Sequence, residues 1–450
     1  MKIPMSTWPT CEFSTLDLGD ARLKHRAVKI LTALFNSPKS SLPEACCGWA
    51  DTMAAYRFFM NDSVSSEALL QAHSDSTTHR IKQSGSPVIL CVQDTTELNF
   101  NGQDIEELGR LSYDAQRGMY LHPTLCITPE RIPLGVTDAW MWARGKTKKE
   151  DQKKPAIKES IRWVEGYERV GEMAVSLPGQ RLVYVADREG DLTALMQRAE
   201  QLDYPADWLI RAKHNRSLGE QEKLWTKVDQ QPAIASIRFT KSRKKGEKAR
   251  QVCQEIKVLS CCLHSRSKTP VQVTLVQAKE INPPAGKPPL VWRLLTNRSV
   301  DSADQAIEML DWYLCRWEIE MLFDVLKVGC EVEKLQLNHR DRIEKALIFY
   351  LITAWRVTYM MRLGRQCPAL SAELVFDTLE WKAAYGLNDQ SIPESPPALN
   401  EVIRQLAMLG GFLARKSDGE PGAKSIWRGF QRLQDCIYGV HLSQKLKGLL

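Results

Sequence analysis

Two short apolar runs constrain this chain most, because each reads as a strand buried on both faces and each ends at an aspartate. Val88-Ile89-Leu90-Cys91-Val92 leads through Gln93 to Asp94, and Leu182-Val183-Tyr184-Val185-Ala186 leads directly to Asp187. A run that is apolar throughout, without alternation, is the signature of a covered strand in an α/β sheet. Leu121–Thr128 and Leu134–Met141 read as two further strands joined at Pro129-Glu130-Arg131, and Ala156–Gly166 reads as a helix with Ile157, Ile161 and Val164 on one face. Sheets of this class gather ligands at the carboxyl ends of their strands, where the backbone is fixed and the loop side chain accessible. A lone Asp after a strand serves equally well as a cap or turn residue. A third carboxylate with suitable companions has to decide.

At 450 residues the chain calls for two or three domains. The first eighty residues are helical in pattern, with Leu23, Ala27, Ile30, Leu31 and Leu34 at helical spacing and Ala54, Phe58 and Phe59 in a later helix. From Trp208 to Thr296 the pattern is β-rich: Trp208–Ala212, Ile237–Thr240, Gln254–Leu259, Val271–Gln277 and Val291–Thr296. Asp301 or Ser302 then caps a helix expected to run to about Val328, and from Arg342 the chain is largely helical, with a linker at Pro393, Pro396 and Pro397 and a loop at Gly410-Gly411. The expected division is an N-terminal helical domain over 1–72, a catalytic domain over 73–370 with its β-rich part at about 190–300, and a C-terminal helical domain over 371–450.

Several function classes are disfavoured. The longest apolar run, Ala346–Trp355, is far short of the ~20 residues of a membrane span, and the first twelve residues lack the form of a signal peptide, so a cytoplasmic protein is expected. The cysteines are scattered, without C-x-x-C, as reduced thiols would be, and the histidines lack zinc-ligand spacing. Net charge is +7, with clusters at Arg22–Lys29, Lys146–Lys154 and Lys241–Arg250. Such clusters suit a polyanion, although each alone is also an ordinary solvated loop.

The third carboxylate comes from the helix after Ser302. At about 100° per residue, Arg316, Glu320 and Lys327 fall within roughly 60° of Tyr313, whereas Glu318 points about 140° away. Asp324 lies near the same face and is a rival to Glu320. Ala306, Leu310, Leu314, Trp317, Met321 and Val325 form the adjoining apolar stripe. The face reads as a metal-binding Glu320 flanked by the phosphate-gripping Arg316 and Lys327, with Tyr313 as a hydrogen-bond donor. It reads equally as a solvated face with an Arg316–Glu320 ion pair.

The pattern Y-x2-R-x3-E-x6-K, following two strand-end aspartates, resembles the insertion-sequence-four family of bacterial DDE transposases, and among them the transposon-five type. The resemblance covers essentially the whole chain, in order: Leu18-Gly19-Asp20, Ala55-Tyr56-Arg57-Phe58, Asp94-Thr95-Thr96, Asp187-Arg188-Glu189, Arg211-Ala212-Lys213-His214, Ile281-Asn282-Pro283-Pro284, Trp292 to Thr296, and Gly410-Gly411-Phe412. It implies a ribonuclease-H-like catalytic core with a β-rich insertion, flanked by helical domains. In that core Asp94, Asp187 and Glu320 would hold two Mg²⁺ or Mn²⁺ ions. It further implies cut-and-paste transposition: cleavage at terminal inverted repeats through a hairpin, then strand transfer of the 3′-hydroxyl into target DNA. Trp292 matches a position that stacks on a flipped nucleotide, though core packing beside Leu294 and Leu295 is its plain alternative. Arg26, Arg57, Arg211, Lys213 and His214 match DNA-contacting positions. The departures lie in the basic loops at 144–158 and 240–250. The implied partners are duplex DNA, as transposon end and as target, and a second copy of the chain in a synaptic complex, nucleoid-associated when bound.

Two other readings remain: a ribonuclease-H-fold nuclease without strand transfer, and a non-catalytic DNA-binding regulator of transposition. A regulator of that kind is expected to lack the N-terminal segment or a carboxylate, and neither loss is visible.

Overall fold

Apolar side chains on both faces leave a strand no option but to be paired on both edges and covered on both sides. The computed structural model describes residues 8–46, 48–145, 159–219, 222–241, 249–264, 270–415 and 417–447. Its strands are β1 (Val88–Gln93), β2 (Thr96–Asn99), β3 (Gly109–Arg110), β4 (Arg117–Ile127), β5 (Pro133–Trp142), β6 (Arg181–Ala186), β7 (Asp207–Arg211), β8 (Ser217–Gly219), β9 (Glu222–Lys223), β10 (Ala233–Lys241), β11 (Arg250–Leu263), β12 (Val271–Glu280) and β13 (Val291–Thr296). The basic cluster at 146–154 and most of that at 241–250 lie outside the described residues, as does the start of the helix expected from Ala156. The chain forms two compact units, each assembled from segments distant in sequence. One comprises Met1–Ser84, Thr95–Ala156 and Glu318–Leu450; the other comprises Gly85–Asp94 and Ile157–Trp317. Mixed α/β architecture with helices at both ends of the chain is the expected class, and it is the one observed.

The second unit is built on a sheet whose strands run β1-β6-β7-β13-β12-β11-β10. β1, β6 and β7 are mutually parallel; from β7 onward the neighbours are antiparallel. The β-rich insertion read from the sequence is therefore an antiparallel extension of a parallel core. Helices Ile161–Val175 and Thr193–Gln201 pack here, the first against β1 and β6. Trp163, Tyr167, Tyr184 and Trp208 are fully buried and fill this core. The helix sits so close to β1 that a Cβ on Gly166 would lie 2.2 Å from Gln93 Nε2. Gln93 is in turn held by the Tyr184 hydroxyl at 2.8 Å. A side chain there would require the Gln93 amide to move.

In the other unit β4 pairs with β2, β3 and β5, all antiparallel. Its helices are Trp8–Glu12, Ala21–Asn36, Leu42–Cys46, Trp49–Phe59, Ser66–Ser84, Trp317–Asp324, Arg340–Gln366, Thr378–Gly386, Leu399–Leu409 and Ala423–Lys447. Arg340–Gln366 is the hub: Phe349 meets Phe13, Phe58 and Phe59 edge-on at 5.6–5.9 Å. Glu12, in the short first helix, is buried against His73 and Arg80 of Ser66–Ser84, which pins the start of the chain to this core. Among the described residues no helix is long and apolar enough to cross a membrane.

The continuous helix expected from Ser302 to Val328 is not formed. Ser302 caps its start as expected, accepting from the Gln305 N–H at 3.2 Å. The helix then spans Ala303–Leu314, turns at Cys315-Arg316, resumes over Trp317–Asp324 and widens into a π-helical turn at Val325–Gly329. The sequence holds no Gly or Pro at the break. The break coincides with a charge-assisted bond from Arg316 to Asp94, described next. A single helical wheel through Tyr313, Arg316, Glu320 and Lys327 therefore does not describe their directions.

Candidate active site

The register Val92↔Val185 between parallel β1 and β6 carries Asp94 and Asp187 two residues past the same rung. Adjacent strands lie about 4.8 Å apart, so the two aspartates leave the sheet side by side. Both are half-buried. Asp187 also starts a single 3-10 turn over Arg188–Gly190, its Oδ1 accepting the Glu189 N–H at 2.7 Å. This is the capping role that sequence allows any such Asp. Here it fixes the carboxylate's position without using its other oxygen.

Arg316 is nearly buried and donates from Nη1 to Asp94 Oδ2 at 2.6 Å. Its guanidinium lies over the ring of Trp317, which is half exposed and which sequence reasoning placed in the apolar stripe. Tyr313 sits one turn earlier and is buried. Burial pushes its phenol above the ordinary value; Arg316 and Arg211 act against that rise, and Asp187 adds to it. The phenol is therefore a neutral O–H lying among Asp187 and two guanidiniums. Arg211 interacts with it loosely, and among the described residues no partner for the hydroxyl stands in hydrogen-bonding geometry. Trp292, on β13 opposite Ala278, is half-buried and meets Tyr313 edge-on at 6.4 Å. One unit thus brings together six residues expected from sequence: Asp94, Asp187, Arg211, Trp292, Tyr313 and Arg316.

Lys213 and His214 follow β7 with exposed side chains. Their backbone N–H groups donate to one oxygen of Asp191, at 2.6 and 3.0 Å, a buried carboxylate that sequence reasoning did not single out. It has no local signature, since its partners are 22 and 23 residues away.

The remaining expected residues belong to the other unit. Glu320 and Lys327 are half-buried, the first in Trp317–Asp324 and the second in the π-helical turn; Asp324 is exposed. Glu318 is buried and engaged by Arg362, whose Nε lies 2.6 Å from its Oε2, with Arg131 4.0 Å away. Burial pushes its carboxyl up, and Arg362 opposes the rise. Glu318 is thus committed to an ion pair within its own core. Arg26 pairs with Asp51 at 2.6 Å, and Arg57 is exposed. Among the described residues no three His, Cys, Asp or Glu side chains gather into a group that could hold a metal ion.

Residues 5–64 match the family model described as transposase DNA-binding, and residues 352–446 match the one described as the transposase Tn5 dimerisation domain. The chain thus carries Tn5-like transposase segments on both sides of its central part. Arg26 and Arg57 fall inside the first match, and helices Thr378–Gly386, Leu399–Leu409 and Ala423–Lys447 fall almost wholly inside the second. Neither match includes Asp94, Asp187, Trp292, Tyr313, Arg316, Glu320 or Lys327, so their roles in this chain are argued from geometry and chemistry. Among solved structures, the chain is similar to the cryo-EM structure of a piggyBac transposase synaptic complex with hairpin DNA, at 10% identity and a TM-score of 0.35. That similarity covers 74% of this chain and spans 55% of the other.

Proposed function

We propose that this chain is a DDE-type enzyme that cuts DNA at the terminal inverted repeats of an insertion sequence and joins the freed 3′-hydroxyl to target DNA. The observation that carries the reading is the pair of aspartates at adjacent parallel strand ends, with Arg316 on one and Tyr313 beside the other. The two family matches supply the context, a DNA-binding segment before this core and a dimerising segment after it.

Asp94 and Asp187 offer hard carboxylate oxygens, the donor type that Mg²⁺ and Mn²⁺ take, and Glu320 is proposed as the third ligand, with two ions per site. When bound, the ions would supply Lewis acidity at the attacking and leaving oxygens. The chain's own residues do the rest. Arg316 and Arg211 place positive charge where a phosphate would lie, and the neutral Tyr313 O–H donates to a non-bridging oxygen. Lys327 is assigned a second phosphate contact. Trp292 offers its indole to an unstacked base. In the first step water attacks phosphorus and the P–O3′ bond breaks, leaving a 3′-hydroxyl. That hydroxyl attacks a phosphorus of the opposite strand, forming a hairpin as the P–O3′ bond to the flanking DNA breaks and the flank leaves with a 3′-hydroxyl. Water then attacks the hairpin phosphorus and releases the 3′-hydroxyl again, which attacks a target phosphorus and displaces the target's own 3′-oxygen. Arg26, Arg57, Lys213 and His214 are assigned to the DNA backbone, and two copies of the chain to the synaptic complex.

The test is Mg²⁺-dependent cleavage of a duplex carrying the inverted repeat that flanks the reading frame, with target plasmid present. Cleavage and joined product are expected from the wild-type chain and neither from Asp187→Ala. Full cleavage by Asp187→Ala would overturn the reading. Cleavage without joined product would leave a nuclease, and DNA binding without cleavage a regulator.

A further inference from the structure

The geometry points to Asp191 as a positioning residue that clamps the DNA-contacting loop after β7 to the turn that carries Asp187. This rests on the DNA-binding reading of that loop. The Asp191 side chain is fully buried. Its Oδ2 accepts the backbone N–H groups of Lys213 at 2.6 Å and His214 at 3.0 Å. Its Oδ1 lies 2.6 Å from Arg216 Nη1, and its own carbonyl oxygen accepts from Arg216 Nη2 at 3.1 Å. The backbone of Asp191 closes the 3-10 turn that Asp187 begins, its N–H donating to the Arg188 carbonyl.

One residue thus joins two functional segments. Sequence places Asp187 four positions before it, while its side chain holds Lys213 and His214 beyond the next strand, β7. A buried carboxylate is costly unless fully compensated. Here two N–H groups bond one oxygen and the Arg216 guanidinium stands 2.6 Å from the other as its counter-charge, outside hydrogen-bonding geometry, so the loop gains an anchor whose charge is balanced. Both side chains that follow the anchored N–H groups are exposed. The arrangement fixes the backbone and leaves the charges free to reach outward.

A clamp of this kind predicts energetic coupling. Each phosphate contact contributes about 0.9 to the slope of log K against log salt on duplex DNA. Binding of the full-length protein to a 30-base-pair duplex would be measured across a salt series for wild type, Lys213→Ala, Asp191→Ala and the double variant. In the wild-type background Lys213→Ala is expected to lower affinity several-fold and the slope by about one contact; in the Asp191→Ala background it is expected to change neither. Arg57→Ala, in the other unit, is expected to act additively with Asp191→Ala. Asp191→Asn retains an oxygen for the two N–H groups and should restore the Lys213 effect, a rescue that general loosening of the fold does not explain. Should Asp191→Ala fail to fold, Arg216→Gln removes the counter-charge from the same clamp and is expected to shrink the Lys213 effect. Lys213→Ala acting with full strength in the Asp191→Ala background, or in Arg216→Gln where the alanine variant is not folded, would overturn the proposal while leaving the DNA-binding reading intact. Salt-insensitive binding by the wild type would instead overturn the DNA-binding reading, and this proposal with it.

Discussion

Replacing Tyr313 with Phe separates structure from chemistry at this site more cleanly than any other substitution. The side chain is buried, yet among the described residues its hydroxyl has no partner in hydrogen-bonding geometry. Deleting the oxygen therefore forfeits only the loose interaction with Arg211. It also relieves the desolvation of an unsatisfied polar group, worth about 1–3 kcal/mol. The ring stays, so the edge-on contact with Trp292 is kept. Tyr313→Phe is thus expected to unfold at the wild-type temperature or slightly above it. If the phenol donates to a phosphate oxygen during reaction, its loss forfeits a hydrogen bond to a charged group, about 1.5–3 kcal/mol. At about 1.4 kcal/mol per decade, that is a drop of roughly 10- to 150-fold in the cleavage rate. The assay is single-turnover cleavage with saturating enzyme, so that binding differences do not enter, alongside a thermal melt. Because burial raises the phenol's pKa above its ordinary value, the defect should be the same at pH 7 and pH 9. A wild-type rate with a lowered melting temperature would refute the assignment, showing the hydroxyl to be structural.

Other substitutions discriminate elsewhere. Glu318→Ala should destabilise the fold by about 3–5 kcal/mol by stranding Arg362, whereas Glu320→Ala should abolish cleavage with a much smaller change in melting temperature; the reverse pattern would exchange the two glutamates' roles. Trp292→Ala is expected to weaken the complex with end DNA by about 1–3 kcal/mol, read by fluorescence of 2-aminopurine placed at the terminal nucleotides, and an unchanged signal counts against stacking. For acid stability, burial alone would raise the Glu12 pKa, but Arg80 and His73 outweigh it and hold the carboxyl at about 2, against 4.5 for the free group. A folded-state value below the unfolded one means the stabilisation is complete above pH 4.5 and is lost as pH falls toward about 2. Its size is on the order of 3 kcal/mol. Glu12→Gln should therefore flatten the acid limb of the stability curve in that window, as followed by circular dichroism; an unaltered limb would show that Glu12 is not the group responsible.

The two aspartates were legible in the sequence because the signal is local: a run apolar on both faces must be covered, and the next polar residue marks where the strand leaves the core. β13 was legible for the same reason, and its expected range Val291–Thr296 is the observed one. The path of the chain after Leu314 was not. A wheel assumes an unbroken helix, and nothing in Cys315-Arg316 forbids one. The turn there is accompanied by a bond to Asp94, 222 residues away, which no local pattern encodes. Glu318, which the wheel set apart, is paired with Arg362 in its own unit. Asp191 escaped notice for a related reason, because a buried acid with main-chain partners in another loop looks like any surface Asp until the fold is known.

Gly166 bears on how such a protein could be engineered. Replacing a mid-helix glycine with alanine is a standard route to greater stability, with a gain of up to about 1 kcal/mol in a free helix. Here the new methyl would meet the amide of Gln93, the residue immediately before Asp94. The gain in helix propensity would be set against displacement of the Gln93 amide and its bond to the Tyr184 hydroxyl, next to a proposed ligand. A stabilisation campaign guided by helix statistics alone would thus choose a position whose substitution disturbs the packing beside Asp94. The opposite strategy, leaving Gly166 untouched and improving exposed positions of the same helix, separates thermal resistance from activity.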